Sequence, residues 1–251
     1  MRTRSAAALL MSAFLFSAVS AASAQDRWRV DVENGAAISG YNDARIPGDS
    51  GTLFSFADDL ASDTAYFWRV RADVRLAPKH VLSALVAPLT INSAGSFEQQ
   101  VSFAGATFAP RVPVKGLYVF NSYRVTYRYE PIRRENWMLG VGVTIKVRDA
   151  ITRLESNGVR AEKTNVGAVP LVNFKFERRL GERAAFLLEG DALAAPQGRA
   201  EDIFAGILVH AGKRWSIKAG YRILEGGADN DEVYTFALVH YLAAGVVVRF
   251  G

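Results

Sequence analysis

The feature that most constrains this chain is hydrophobic alternation with a period of two, repeated along most of its length. Successive side chains of a strand point to opposite faces, so such a segment has one apolar and one polar face. The first segment begins at Trp28, with Trp28, Val30 and Val32 alternating with Arg29, Asp31 and Glu33. The second sets Trp68, Val70, Ala72, Val74 and Leu76 against Arg69, Arg71, Asp73 and Arg75. The third, residues 80 to about 90, is apolar on both faces. The fourth sets Tyr123, Val125, Tyr127 and Tyr129 against Ser122, Arg124, Thr126 and Arg128. In the fifth, Trp137 through Val147 alternate with Gly140, Gly142, Thr144, Lys146 and Arg148. The sixth opposes Val172, Phe174 and Phe176 to Asn173, Lys175 and Glu177, and the seventh opposes Phe186, Leu188 and Ala192 to Leu187, Glu189 and Asp191. An eighth, residues 203–211, is mixed. A ninth sets Trp215, Ile217, Ala219, Tyr221 and Ile223 against Ser216, Lys218, Gly220 and Arg222, and a tenth runs from about 233 to 250.

The connections alternate too. Those after segments two, four, six and eight are short: Ala77-Pro78-Lys79, residues 130–136, residues 179–183 and Gly212-Lys213-Arg214. Those after one, three and five are long, about 38–63, 91–115 and 149–163, and those near Pro196 and Gly227 are intermediate. An even strand number with long loops on one side and short turns on the other predicts an all-β, closed, antiparallel, up-and-down transmembrane β-barrel of about ten strands. A soluble sandwich also alternates. The aromatic residues separate the two: Trp28, Trp137 and Trp215 begin segments at the short-turn end, and Tyr129 and Phe176 finish segments at the same end. They predict one aromatic girdle, with Trp68 in the opposite one.

The N-terminus predicts a cleaved signal peptide. Arg2 and Arg4 precede a short apolar run, residues 6–19, and Ala22-Ser23-Ala24 fits the small-residue cleavage rule. The run falls short of the roughly 20 residues of a spanning helix. Residues 1–24 are therefore expected to be signal, residues 25–251 the barrel, and both barrel termini periplasmic. The net charge of +5 includes Arg2 and Arg4, so the remainder is mildly basic and nucleic acid is not an expected partner. The chain has no cysteine, which excludes disulfides, thiolate metal sites and an N-terminal lipid-modified Cys. No cofactor is expected.

The charged faces predict what fills the barrel. Arg69, Arg71, Asp73, Arg124, Arg128, Glu189, Asp191 and Arg222 are expected to meet in an ion-pair network inside the lumen. Eight strands are just filled by side chains and a water channel needs about sixteen. Ten strands lined with long arginines should be mostly plugged. If Phe250 faces outward, then Val233, Thr235, Ala237, Val239, Tyr241, Ala243 and Val247 face inward. With Phe204, Leu208 and the third segment, they predict either an apolar interior pocket or a register change in the last strand. Leu53, Phe54, Phe56 and Leu60 in the first long loop need cover and predict a lid over the mouth or a partner contact. Glu225, Asp229, Asp231 and Glu232 form the densest carboxylate cluster. It reads either as a divalent-cation site bridging to lipopolysaccharide or as the composition of a tight turn.

In these respects the chain resembles the small outer-membrane β-barrel superfamily. Its closing segment, Val246-Val247-Val248-Arg249-Phe250, is similar to the C-terminal signal those barrels present to the assembly machinery, with Gly251 following the aromatic. The resemblance implies an outer-membrane location, contact with membrane lipid and lipopolysaccharide, and a monomer. Enzymes of such barrels do not match here. Lipid A deacylases pair a His with a Ser two residues on; the positions two after His80, His210 and His240 are Leu82, Gly212 and Leu242. Omptin proteases place an Asp two before a His; those positions hold Pro78, Leu208 and Leu238. The expected function is a non-enzymatic role in envelope structure or surface interaction. The alternatives are a narrow transporter or binding barrel for a small hydrophobic or anionic ligand, and thirdly a lipid-modifying enzyme in which the fold brings a Ser to a His such as His240.

Overall fold

The computed structural model describes residues 27–196 and 198–251; the expected signal peptide lies outside them. Ten staves close into an antiparallel barrel. In order they are β1 (Trp28–Arg45), β3 (Ala65–Ala77), β4 (His80–Ala87) continued by β5 (Thr90–Gly95), β8 (Val114–Arg133), β9 (Trp137–Ser156), β10 (Val159–Arg179), β11 (Ala184–Ala195), β12 (Gly198–His210), β13 (Trp215–Asp229) and β14 (Tyr234–Phe250). Each pairs with its sequence neighbour, and β14 pairs with β1 from Trp28–Phe250 to Arg45–Tyr234. The sheet therefore closes on itself, first strand to last, as membrane-spanning sheets do. β4 and β5 are one stave interrupted at Pro88-Leu89; both halves lie on β8.

The period-two phase holds in every stave. Val125, Val143, Ile145 and Leu242 on the outer face are more than half exposed, while their chain neighbours Arg124, Thr144, Lys146 and Tyr241 are buried. The last strand keeps its phase to the end, so the inward row Val233 to Val247 is real and no register change resets it. The shift against its partner falls on β1, between Ser39 and Tyr41. On β10 the outward residues run Phe176, Phe174, Val172, Pro170, Ala168, Val166. At ~3.3 Å per residue and a tilt of ~40° they cover about 25 Å along the axis, the height of a bilayer's apolar band. Beyond them hydrogen bonds from Arg153 and Arg160 hold the Glu162 carboxyl below the usual carboxylate range.

The connections differ in part from the sequence expectation. The stretch 149–163 is not a loop: β9 and β10 run on as a hairpin, paired to Val159–Ser156. Its turn is Asn157-Gly158, both at positive φ (47° and 79°), which this dipeptide favours in two-residue hairpins. The turn between β11 and β12 is tight, with Ala195 paired to Gly198. The other two long loops fold into a lid. β2 (Phe54–Ser55) adds to β1, and β6 (Val101–Phe103) and β7 (Ala106–Phe108) form a separate hairpin. Backbone bonds lock the parts together: Thr52 N–H to Ser102 O (2.9 Å), Ala104 N–H to Ile46 O (2.9 Å) and Gly48 N–H to Asp231 O (2.9 Å).

The lid has its own core. Phe54, Phe56, Leu60, Phe97, Phe103 and Phe108 are buried against Val114, Leu154 and Ala161 of the staves. Phe54 makes edge contacts with Phe56, Phe97 and Phe103 at centroid distances of 5.0, 5.4 and 5.5 Å. Gly116 permits this docking, because a Cβ there would meet Phe56 at 2.6 Å. The apolar loop residues thus cover the mouth, and Leu53 alone of the expected set stays half exposed. Phe56→Ala is expected to remove about 3 kcal/mol of lid packing. Limited proteolysis should then cut residues 96–112 faster while the barrel unfolds at its original temperature; an equal loss in both would contradict a separately packed lid.

Candidate functional site

The middle of the lumen is a layer of buried charge. Asp202 is its centre: it accepts from Arg69 Nη2 (2.8 Å), Arg124 Nη2 (2.5 Å) and Arg222 Nη1 (2.5 Å). Arg124 also reaches Asp191 (2.7 Å), whose other oxygen accepts from Thr144 (2.6 Å) and Asn173 (2.8 Å). Arg222 forks onto both oxygens of Glu33 (2.8 and 2.9 Å). Lys218 joins Asp31 (2.8 Å) to Glu33 (2.7 Å), and Lys175 holds Glu189 (3.1 Å). Asp73 lies lower, 3.9 Å from both Arg29 and Arg128. Arg71 is buried beyond ion-pair distance of any carboxylate among the described residues. These groups come from eight staves, so the network ties opposite walls together. Buried charges of this kind cost desolvation and are retained when well paired.

The residues expected in the lumen therefore all lie there. Arg69, Arg124, Arg222 and Asp191 form the central cluster, Glu189 flanks it, and Arg128 and Asp73 sit beneath. Asp202 was not among the expected residues, because the mixed eighth segment was read from residue 203. Its signal lay one residue earlier: Asp202, Phe204 and Leu208 face inward while Ile203, Ile207 and Val209 face out.

An apolar cluster runs beside the ionic layer and above it: Leu187 stands below Glu189 on β11 and Phe204 below Asp202 on β12, while Phe67, Ile91 and Val239 stand higher on their staves. Phe67, Leu89, Ile91, Leu187, Phe204, Val239 and Tyr241 pack together, with Phe67 and Tyr241 edge to face at 4.7 Å. Phe204 lies under the cations, 4.8 Å from Lys218 and 5.2 Å from Arg222. Leu89 and Ile91 of the third stave, Phe204 of the eighth and Val239, Tyr241 and Ala243 of the tenth thus pack in one cluster.

Between this floor and the lid the lumen opens into a chamber of about 440 Å³. Its walls are Tyr118, Phe120, Ala150, Val169, Leu193, Leu224, Val233, Ala237 and Val239, with Ile46 from the first long loop. The polar groups are Asn42, Lys146, Arg148, Thr152, Asn165 and Thr235, with Lys163, Arg199, Glu225 and Asn230 toward the rim. Arg148 donates to Asn165. Lys146 stands at the junction with the ionic layer. It is buried, its Nζ lies 5.5 Å from the Phe120 ring centre, and no carboxylate lies within 4.0 Å of it among the described residues.

At the short-turn end is a separate vestibule of about 430 Å³, lined by Arg29, Arg75, Arg128, Arg133, Lys175 and Arg249 against Asp73, Glu130 and Glu177. Arg75 (3.0 Å), Arg133 (3.2 Å) and Arg128 (3.5 Å) all converge on Glu130. The charged and apolar layers separate vestibule from chamber.

The remaining candidates do not assemble. Glu225 lies on the outer wall and is taken by Arg199 (2.7 Å) and the Tyr41 hydroxyl. Glu232 pairs with Lys163 (3.2 Å), while Asp229 and Asp231 sit exposed around the turn. Among the described residues no three acidic or histidine side chains converge as metal ligands, so the divalent-site reading of Glu225, Asp229, Asp231 and Glu232 gives way to the turn reading. Asn230 caps that turn through Val233 N–H (3.0 Å). His240 faces out and contacts the Tyr221 hydroxyl. The fold does bring one serine to a histidine, Ser216 to His210 Nδ1 at 2.9 Å. That hydroxyl is fully buried and also accepts from Arg249 (3.3 Å), which leaves it unsuited to attack a substrate.

Asp202→Asn takes the shared carboxylate from three arginines and leaves their charges facing one another. A loss of about 3–5 kcal/mol is expected. It should appear as a lower temperature at which the folded barrel loses its compact migration in detergent gels; an unchanged temperature would show that the layer contributes no stability.

No protein-family model and no curated protein sequence matches the chain. Solved structures do. The outer-membrane protease OmpT of Escherichia coli superposes with a TM-score of 0.55 at 9% identity, over 90% of this chain and 97% of that one. The attachment invasion locus protein Ail of Yersinia pestis gives 0.40 at 10% identity, over 89% and 99%. The translocator domain of the autotransporter NalP of Neisseria meningitidis gives 0.41 at 10% identity, over 90% of each. At such identities the likeness is one of architecture. This chain is a closed, ten-stranded antiparallel barrel with the fold of the small outer-membrane β-barrels.

Proposed function

We propose that the protein is an outer-membrane binding barrel for a small apolar molecule that carries an acidic or hydrogen-bond-accepting group. Residues 1–24 are its signal peptide and 25–251 its barrel, with the lid outside and both termini periplasmic. Its outer band sits in lipid, Arg199 lies at the level of the lipopolysaccharide headgroups, and the strand ending at Phe250 is what the assembly machinery engages. The protein works as a monomer and without catalysis.

The observation that carries this reading is the chamber. A barrel that served only as a structural element needs its lumen filled, and above the charged vestibule the middle of this one is filled by the ionic layer and the apolar cluster. The upper third is not. Its volume lies in the 300–1,000 Å³ range of small-molecule sites, and its walls combine apolar surface with a few placed polar groups, as such sites do. Lys146 supplies the specificity. A buried ammonium without a carboxylate neighbour is costly, and a ligand acid would relieve that cost. The aromatic walls at Tyr118 and Phe120 take the apolar body. The ionic layer closes the far side, so the ligand enters a blind site and does not cross the barrel along its axis.

Titration calorimetry in detergent micelles with 2-naphthoate and the neutral 2-naphthylmethanol tests this. Both are expected to bind saturably, the acid tighter by roughly tenfold, the scale of one charge-assisted bond. Lys146→Met should erase the preference and keep the alcohol's affinity. Absence of saturable binding by either compound would refute the chamber as a ligand site, and an unchanged preference in the variant would remove Lys146 from it.

A further inference from the structure

The barrel wall is not equally closed all round. β10 is paired with β9 along its whole length, from Val159–Ser156 to Arg178–Trp137. With β11 it is paired only from Arg179–Ala185 up to Val172–Ala192. Above that pair the strands part, although β11 continues through Leu193 and Ala195 and remains paired with β12. Pro170 lies at the parting. It has no N–H to offer a neighbour, and proline is confined to strand edges for that reason.

The chamber extends into this gap. Its lining includes inward-facing Val169 and Leu193, and also Ala168 and Pro170, whose side chains point to the outside of the barrel. The chamber lining therefore reaches the edge of β10 where it has no partner on β11. The gap has a sill at Val172–Ala192 and a lintel where Lys163 of β10 reaches across to Glu232 of the last loop (3.2 Å). Its height follows from the register. Leu171 to Val169 stand five to seven residues above Phe176, so at ~3.3 Å per residue and ~40° of tilt the opening begins about 13 Å up the ~25 Å apolar band. It faces acyl chains.

The other short seam behaves differently. β3 and β4 are paired only up to Val70–Val86, but Asp63 N–H to Asn92 O (2.8 Å) and the Ser62–Ser93 bridge rejoin the wall above, and Leu89 and Ile91 pack behind it. Only the β10–β11 seam combines parted strands, apolar edges and a cavity behind them among the described residues.

We propose that this seam is a lateral portal through which a small, uncharged apolar molecule passes between the chamber and the apolar interior of the membrane. The proposal rests on the chamber being a ligand site. The strand edges at the parting are apolar, Ala168, Val169, Pro170, Leu193 and Ala195, while Lys163, Arg199 and Glu225 are charged members of the wider lining. Passage needs no opening of the lid and no path through the ionic layer.

The chain has no cysteine, so the seam can be closed at will. Leu171→Cys with Leu193→Cys places thiols on the two residues that would pair next if the strands stayed together. Oxidation ties the seam shut and reduction frees it in the same molecule. The probe is fluorinated 2-naphthylmethanol in lipid nanodiscs, read by fluorine exchange spectroscopy, which reports bound population and exchange rate separately. The reduced variant supplies the reference rate and bound population for its own oxidised form, since Leu193 belongs to the chamber wall. The oxidised protein should exchange at least about tenfold slower, a barrier change of ~1.4 kcal/mol, with the bound population retained. Equal rates in both states would overturn the portal and leave the chamber standing. Absence of bound probe in the wild-type protein would overturn the chamber itself. Ala168→Trp with Ala194→Trp, which fills the gap without a cross-link, must slow exchange in the same way; unchanged exchange in that variant also overturns the portal.

Discussion

The whole arrangement depends on how a ten-stave barrel fills its middle. The circumference is too large for aliphatic side chains to meet across it and too small for an open channel. Arginine and lysine are long enough to reach the opposite wall, but each brings a charge that must be answered in a medium of low dielectric. Asp202 answers three of them at once, and Glu33, Asp191 and Glu189 pair with Arg222, Lys218, Arg124 and Lys175 nearby. The consequence is a rigid diaphragm at mid-height. Everything above it, the packed aromatic floor, the chamber and the lid, is built on a surface that cannot yield without exposing charge.

Above the diaphragm the interior changes chemistry, and that change makes the chamber. Phe204 is the hinge between the two regimes, since its ring receives Lys218 and Arg222 from the charged side and packs with Leu187 and Tyr241 on the other. Lys146 stands where the ionic layer meets the chamber, and Arg148 beyond it is held by Asn165. The lid covers the mouth with a core of its own, and the short β11–β12 hairpin leaves the wall low beside the tall β9–β10 hairpin. Top, bottom and most of the side are therefore closed by different interactions, and the remaining gap is backbone that simply lacks a neighbour.

Much of this was legible in the sequence because a strand's period of two survives without tertiary information. Trp28, Trp137 and Trp215 marked one end of the staves, and the alternation from Arg69 to Arg75 and from Ser122 to Arg128 named the lumen face. The inward row of Val233, Ala237, Val239 and Tyr241 was visible as well, though the sequence could not say whether it lined space or packed. What stayed hidden depends on pairing between distant strands. Pro170 sits in an apolar run that looks like any barrel strand, and only the missing partner gives it meaning. Asp202 gained its role from three arginines far away in sequence. The stretch 149–163 looked like a loop because its charges obscured the alternation, although Asn157-Gly158 was a turn signal. The carboxylates of the last loop looked like ligands because composition cannot show that Glu225 points away from the others toward Arg199.

The central claim is that the lumen is divided: a chamber that opens toward the lid side and the membrane, and a vestibule that opens only at the short-turn end. Site-directed thiol labelling in oriented vesicles tests it directly. Ala237→Cys places a thiol on the chamber wall and Val81→Cys one on the vestibule wall. With a charged, membrane-impermeant thiol reagent confined to the short-turn side, the account predicts that Val81→Cys is modified and Ala237→Cys is not. Modification of Ala237→Cys from that side, at a rate comparable to Val81→Cys, would mean that the ionic layer is not a barrier.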